Sequence, residues 1–164
     1  MLDVFTVAFF GHRYIDDPLT VEERLEKLIQ RLLAEKAYVE FLVGRNGEFD
    51  QCASSAVVRV RNRYRDDNSA LVLVLPYPTA EFIHNEASFR HYYTEVEISA
   101  KASVAHPKAR IPIRNREMTD RADLIIGYVK EPRGGAWRTV AYARKAGKEI
   151  INIAETDRRE KPKP

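Results

Sequence analysis

Short runs of mostly apolar residues, each about as long as a β-strand, constrain the fold of this chain more than any other feature. They span residues 4–10, 39–43, 70–75, 124–129 and 149–153. Runs that are apolar at nearly every position are typical of strands buried on both faces of a parallel sheet. Helical patterns separate these runs. We therefore predict an α/β fold in three α/β/α layers, with a mostly parallel five-stranded sheet between two layers of helices.

The segments between the runs predict helices, with one exception. Apolar residues recur at helical spacing in 20–36, 49–64, 113–121 and 136–146. The first of these segments begins with Thr20 and Glu23, the two residues of a capping box. Residues 79–112 show no regular period, and we predict an irregular insert or lid there. We expect residues 1–154 to form a single domain, followed by a charged tail at 155–164.

The composition excludes several kinds of protein. The chain has 164 residues and a net charge of +3, from 27 basic and 24 acidic residues that are interspersed. A basic excess this small does not favour nucleic acid, so we predict no nucleic-acid partner. Cys52 is the only cysteine and the four histidines are scattered, so we predict neither a disulfide nor a bound metal or cofactor. No signal peptide and no apolar stretch of about 20 residues is recognisable, which predicts a cytoplasmic protein with no membrane partner.

Glycine follows three of the predicted strands. Gly11 ends the first run, Gly44 ends the second, and Gly134 with Gly135 separates the fourth run from a predicted helix. The carboxyl ends of parallel strands lie at one edge of a sheet, where the ligands of such proteins bind. A glycine turn before a helix presents backbone N–H groups and the positive end of the helix dipole, which suit phosphate. The alternative is that these glycines only allow tight turns.

Polar residues next to these glycines are the candidates for ligand contacts. Arg13 offers a planar fork of donors for phosphate, and His12 offers a hydrogen bond or proton transfer near neutral pH. Asp50 is either a cap of the second helix or an acceptor for a ribose hydroxyl. Arg114 either faces the ligand or belongs to an ion-paired surface. The sequence leaves both interpretations open for each residue.

Four short motifs follow one another along the chain. They are Phe10-Gly11-His12-Arg13, Gly44-Arg45-Asn46-Gly47-Glu48-Phe49-Asp50, Arg114-Asn115-Arg116-Glu117-Met118 with Asp123, and Gly134-Gly135 with Thr139. Together they resemble the motifs of the SLOG superfamily, which joins Rossmann-like domains related to the DNA-processing protein DprA and to the "lonely guy" phosphoribohydrolases. The resemblance covers roughly residues 5–153 and is closest to the small bacterial single-domain branch.

The resemblance implies a Rossmann-like fold with a pocket for a nucleotide-like small molecule across the strand ends, and it is compatible with a homo-oligomer. Together, the motifs and the residues themselves predict the ligand-binding residues Gly11, His12, Arg13, Gly44, Gly47, Asp50, Arg114, Asn115, Gly134, Gly135 and Thr139. The phosphoribohydrolase motif is not kept, because Ala141 stands where its catalytic glutamate would fall.

Three functional hypotheses follow. The leading one is binding or sensing of a nucleotide or nucleotide-derived ligand. The first alternative is hydrolysis of a nucleotide N-glycosidic bond, with Glu48 or Asp50 as the catalytic carboxylate. The second alternative is a protein-interaction module that docks a partner through its aromatic segment, residues 82–93. The chain lacks the Gly-x-Ser-x-Gly, Walker A and Gly-x-Gly-x-x-Gly patterns, which argues against a serine hydrolase, a P-loop NTPase or a dinucleotide-binding dehydrogenase.

Overall fold

A parallel six-stranded sheet forms the centre of the molecule. The structure is a computed structural model that describes residues 3–154, so the predicted charged tail at 155–164 lies outside the described residues. The strands are β1 (Val4–Gly11), β2 (Tyr38–Val43), β3 (Ser69–Leu75), β4 (Glu95–Ile98), β5 (Leu124–Tyr128) and β6 (Glu149–Asn152). Each strand runs parallel to its neighbours in the order β4-β3-β2-β1-β5-β6.

Helices connect the strands and cover both faces of the sheet. They are α1 (Pro18–Glu35), α2 (Glu48–Arg63), α3 (Ala80–His84), α4 (Glu86–Tyr92), α5 (Ala100–Ser103), α6 (Arg110–Arg121) and α7 (Gly135–Lys145). A single 3₁₀ turn, Pro107–Ala109, precedes α6. This architecture is the predicted three-layer, Rossmann-like α/β/α fold. Within residues 3–154, no helix is both long enough and apolar enough to cross a lipid bilayer.

Side chains at alternate positions of the central strands pack into two separate hydrophobic cores, one on each face of the sheet. Phe9 packs on one face of the sheet with Phe41 and Phe49, in the core that α1 and α2 cover. Phe10 points to the other face, where it joins Met118 of α6 and residues of α7. Because a strand turns successive side chains to opposite faces, a continuous apolar run is what a sheet buried on both sides requires.

The order of the strands reverses at β1. The chain adds β2, β3 and β4 on one side of β1, then returns to place β5 and β6 on the other side. The register sets Gly11 beside Tyr128 at the carboxyl ends of β1 and β5. In open parallel sheets the loops on either side of such a reversal diverge and leave a crevice.

The sheet has six strands rather than the predicted five, because the sequence prediction missed β4. Glu95 and Glu97 alternate with Val96 and Ile98 in this edge strand, so it has no continuous apolar run. The side chain of Arg121 balances the charge, since it donates to Glu97 at 2.6 Å and to Glu40 of β2 at 2.9 Å.

The segment predicted as an irregular insert or lid is regular over most of its length. Residues 79–112 contain α3, α4, β4, α5 and the start of α6. Phe82, Phe89 and Tyr93 anchor this segment in the core beside α2. Short helices of five and seven residues carry too few turns for a helical period to stand out in the sequence.

The predicted capping box at the start of the first helix is wrong. The N-cap of α1 is Asp17, which adopts a left-handed conformation with φ of 49°, and its carboxylate accepts from the backbone N–H of Thr20 at 3.3 Å. Pro18 is the first helical residue, and its fixed φ suits that position. Thr20 is therefore the residue that is capped, and the helix begins two residues before the predicted start.

Replacing Gly11 with alanine tests how tightly the end of β1 packs. A Cβ at this position would overlap the ring of Phe49, a buried residue of α2. We expect Gly11→Ala to lower the free energy of unfolding by about 2 kcal/mol or more, and Tm by ~5 °C. Gly135→Ala is the matched control, because a Cβ there meets nothing within 4 Å. Equal melting temperatures for the two variants, measured by circular dichroism, would contradict this packing.

Candidate functional site

One cavity lies in the crevice where the strand order reverses, and we call it the switch-point cavity. Its volume is about 260 Å³. The predicted ligand-binding residues that line it are Gly11, His12, Arg13, Gly44, Asp50, Arg114, Asn115, Gly134 and Gly135. Gly47, Thr139 and Glu48 do not line it. Sequence reasoning missed further lining residues, including Asn46, Ile111 and Ala136.

Arg114 forms a buried wall of this cavity. Its side chain projects from α6 toward the sheet and is only 3% exposed. Nη1 donates to the carbonyl of Val74 at 2.8 Å, and Nε donates to Oδ1 of Asn115 at 2.9 Å. Burial lowers the pKa of the Arg114 guanidinium, and the nearby carboxylate of Asp50 opposes that shift. Arg114 is thus a fixed positive charge that is held by the protein's own oxygens.

Asn115 extends this network to the start of α7. Its amide nitrogen donates to Oγ1 of Thr139 at 3.1 Å, and that hydroxyl donates to the carbonyl of Gly135 at 2.9 Å. All of the side-chain atoms involved are buried or nearly so. Asn115 and Thr139, both predicted to contact the ligand, hold the glycine turn against α6, and Asn115 also lines the cavity. Thr139 lies one helical turn after Gly135, which places its hydroxyl within reach of that carbonyl.

Asp50 lies across Gly44 from Arg114. Its Oδ2 accepts from the backbone N–H of Asn46 at 2.8 Å. Burial raises the pKa of the Asp50 carboxyl, while the Asn46 hydrogen bond and the charge of Arg114 act in the opposite direction. Within the described part of the chain, no direct ion pair joins the side chains of Asp50 and Arg114. A Cβ on Gly44 would lie 3.1 Å from Oδ2 of Asp50 and 3.0 Å from Nη1 of Arg114, so both charges approach the backbone closely.

His12 braces the loop between β5 and α7. Its Nε2 accepts from the backbone N–H groups of Lys130 and Glu131, at 2.9 and 3.0 Å. Only the neutral imidazole with its proton on Nδ1 has an acceptor at Nε2. Burial lowers the pKa of His12, which favours that neutral form, although the charge of Glu131 acts against it. The contacts of His12 therefore support a structural role, in which the side chain holds two loops together.

Glu48 and Gly47 hold the loop that follows β1. The carboxylate of Glu48 accepts from the backbone N–H of Ile15 at 2.8 Å, and its own N–H donates to the carbonyl of Arg13 at 2.8 Å. A Cβ on Gly47 would lie 2.6 Å from the Cα of Arg13. Of the two candidate catalytic carboxylates, Glu48 is therefore bound to a neighbouring loop, and Asp50 is the one that lines the cavity.

The mouth of the cavity carries groups that the protein leaves available. Arg13 is exposed, and its guanidinium makes no hydrogen bond or ion pair with any residue in 3–154. Gly134 adopts a φ of 92°, which favours glycine, and turns the chain into α7. Within the same range, no side chain caps the N-terminus of α7. Gly134, Gly135 and Ala136 line the opening, so the first backbone N–H groups of α7 lie beside it without a side-chain acceptor in that range. The described residues also contain no cluster of His, Cys, Asp or Glu that could hold a metal ion.

The fold and the crevice define a Rossmann-like α/β protein with a cavity at the reversal of the strand order. Among solved structures, the chain is similar to DNA processing protein A (DprA) from Streptococcus pneumoniae, with a TM-score of 0.64 and 19% identity over 90% of this chain and 49% of that chain. It is also similar to DNA processing protein A from Helicobacter pylori, with a TM-score of 0.60 and 15% identity over 89% of this chain and 63% of that chain. The chain thus spans less than two-thirds of either protein.

These comparisons confirm the predicted resemblance at the level of the fold, since DprA structures share the Rossmann-like architecture. No protein-family model matches the chain. A search of curated proteins returns no significant match.

The prediction that nucleic acid is not a partner is wrong. It rested on the small net charge of +3 and the interspersed signs. The Helicobacter pylori protein, which shares this fold, is described by its mode of binding single-stranded DNA. A modest basic excess therefore does not exclude nucleic acid for a chain of this architecture.

Substitution of Arg114 tests whether its hydrogen bonds hold the site together. Lysine keeps the charge but cannot reach both the Val74 carbonyl and the Asn115 amide oxygen with a planar fork. We expect Arg114→Lys to lower the free energy of unfolding by about 2–3 kcal/mol, because buried acceptors lose their partners. Arg116→Lys, on the exposed face of the same helix, should change it by less than ~0.5 kcal/mol. Denaturant unfolding measures both, and equal stability of the two variants would refute the bracing role.

The neutral state of His12 predicts a specific pH dependence. Its pKa in the folded protein lies below the ordinary value of 6.5, so the unfolded chain takes up the proton first as the pH falls. The stabilisation by His12 is therefore fully present above about pH 6.5 and is lost as the pH falls below that value. We expect the difference in Tm between the wild type and His12→Ala to shrink between pH 7.5 and 5, and His84→Ala, an exposed histidine on α3, serves as the control. A difference that grows on acidification would contradict the acceptor role of Nε2.

Proposed function

We propose that the switch-point cavity binds the phosphate group of a nucleotide or nucleotide-derived ligand. The observation that carries this proposal is the pairing of two anion-attracting features at one opening: the N-terminus of α7 and the guanidinium of Arg13, neither of which has a side-chain partner among residues 3–154. Backbone N–H groups and a helix dipole favour an anion, and an exposed arginine adds a mobile donor fork. Phosphate is the group that this combination suits best.

The carboxylate of Asp50 sets the orientation of the ligand. A carboxylate beside a phosphate repels it, so the sugar rather than the phosphate should lie near Asp50. Oδ2 already accepts from Asn46, and Oδ1 has no partner among residues 3–154. That oxygen suits a ribose hydroxyl. Asn115, whose amide oxygen and nitrogen both have internal partners, is better assigned to the framework than to the ligand.

Single-stranded DNA is the second candidate ligand. The observation in its favour is the shared fold with the Helicobacter pylori protein, which is described by its single-stranded DNA binding. A DNA strand presents phosphates too, so the α7 N-terminus and Arg13 would serve either ligand. Hydrolysis of a nucleotide would have to rely on Asp50, because Glu48 is engaged by Ile15. Release of free base during the binding experiments would identify that activity.

A charge placed at the first residue of α7 tests the proposed phosphate site. Gly135→Asp adds a carboxylate where a side chain meets nothing within 4 Å, and an acidic residue in the first turn favours a helix. We expect affinity for AMP or GMP, measured by calorimetry, to fall about tenfold or more, with Tm unchanged or raised. Gly135→Asn has nearly the same size without the charge and should retain most of the affinity.

The outcomes separate the candidates. Binding of nucleoside monophosphates that is lost in Gly135→Asp supports the nucleotide site. Binding of a fluorescent single-stranded oligonucleotide, with no binding of monophosphates, supports the second candidate. Nucleotide affinity that is the same in Gly135→Asp and Gly135→Asn would overturn the proposed phosphate site.

A further inference from the structure

A second, larger cavity adjoins the switch-point cavity. It lies between α2 and the helices α3 and α4, and we call it the aromatic groove after Phe89, Tyr92 and Tyr93 in its wall. Its volume is about 630 Å³. Gly44 and Asp50 line both cavities, so the two are separated by the chain that leaves β2. Gly44 and Asp50 are predicted ligand-binding residues, whereas the aromatic segment that forms the wall was predicted only as a docking site for a protein partner.

The sizes of the two cavities suggest that they act together. At about 260 Å³ the switch-point cavity lies below the range of roughly 300–1,000 Å³ that is typical of small-molecule sites. The aromatic groove, at about 630 Å³, falls within that range. A phosphate and its sugar fit the smaller space, and a larger ligand has to extend past Asp50 into the groove.

The aromatic wall presents an exposed ring. Tyr93 is buried, and Tyr92 packs against it edge-to-face, with ring centroids 4.9 Å apart and planes at 79°. Tyr92 itself is 42% exposed. An aromatic ring that is fixed by a neighbour and open to solvent is a platform on which a flat ring can stack.

Arg45 fixes this wall in place. Its guanidinium donates to Glu81 at 2.8 and 3.0 Å and to the hydroxyl of Tyr93 at 2.9 Å, and it lies 4.7 Å from the centroid of the Phe89 ring. These contacts occupy the one arginine that lines the groove. The groove is therefore not arranged for a phosphate, in contrast to the switch-point cavity with its unpartnered Arg13.

The rest of the lining offers neutral hydrogen-bonding groups. Gln51 and Ser55 project from α2, and Ser88 projects from α4. Their side chains have no hydrogen-bond partner among residues 3–154. Neutral amide and hydroxyl groups around an aromatic platform match the polar edge and the flat face of a nucleobase.

We propose that the aromatic groove binds the nucleobase of the same ligand whose phosphate occupies the switch-point cavity, with stacking on Tyr92. This inference rests on the proposed function and adds to it the part of the ligand that gives specificity. The ribose of the ligand would lie beside Asp50, with the phosphate in the switch-point cavity and the base in the aromatic groove. A ligand that lacks the base then has only the contacts of the smaller cavity.

Calorimetry with paired probes tests the proposal. We expect AMP, GMP, CMP or UMP to bind the wild type about tenfold more tightly than ribose 5-phosphate, which has no base. Tyr92→Ala should remove that advantage and leave the affinity for ribose 5-phosphate unchanged. Tyr92→Phe, which keeps the ring, should retain it. Tyr64→Ala is the matched control: Tyr64 is 45% exposed at the end of α2 that points away from the carboxyl edge of the sheet.

The possible failures are distinguishable. If nucleotides bind the wild type and Tyr92→Ala equally well, or no better than ribose 5-phosphate, the groove does not hold the base and only this inference is overturned. The proposed phosphate site survives that result as long as Gly135→Asp abolishes binding. If neither ribose 5-phosphate nor any monophosphate binds the wild type, the proposed function fails and the inference fails with it.

Discussion

Burial of one guanidinium organises the carboxyl edge of this sheet. Removing a charged group from water costs several kcal/mol unless its donors find partners. Arg114 finds them where α6 meets the end of β3, through the carbonyl of Val74 and the amide oxygen of Asn115. The carboxylate of Asp50 adds a favourable field from α2. Gly44 lets both charges come close to the loop after β2, so two strand ends and two helices meet around this one side chain.

The polar residues of the motifs divide into a framework and a set of free groups. The framework side chains form hydrogen bonds with neighbouring loops and helices, and so they fix the shape of the opening. They are those of Asn115, Thr139, Glu48 and His12. Among residues 3–154, the guanidinium of Arg13 and the first turn of α7 have no such side-chain partner. Sites of this kind work because an inner layer of satisfied groups holds the outer one in position.

Much of this architecture could be predicted from the sequence, and the reasons for the errors are physical. The apolar runs predicted β1, β2, β3 and β5 because those strands are buried on both faces. The edge strand β4 alternates Glu95 and Glu97 with apolar residues, and the contact of Arg121 with Glu97 could not be predicted from that pattern. The glycine turns predicted where the switch-point cavity lies. They could not predict that Asn115 and Thr139 face each other, since that contact depends on how α6 packs against α7.

The pair α3 and α4 is the crossover between β3 and β4, and its C-terminal end is held by the sheet. Thr94, directly after α4, donates its N–H to Leu71 and accepts from the same residue's N–H through its hydroxyl. Phe82 and Phe89 secure the middle of the crossover in the core. The conformational entropy of this segment is therefore lost when the protein folds and not when a ligand binds. Preorganised walls of this kind impose no ordering penalty on association, so even a small, weakly held molecule can populate the space beside them.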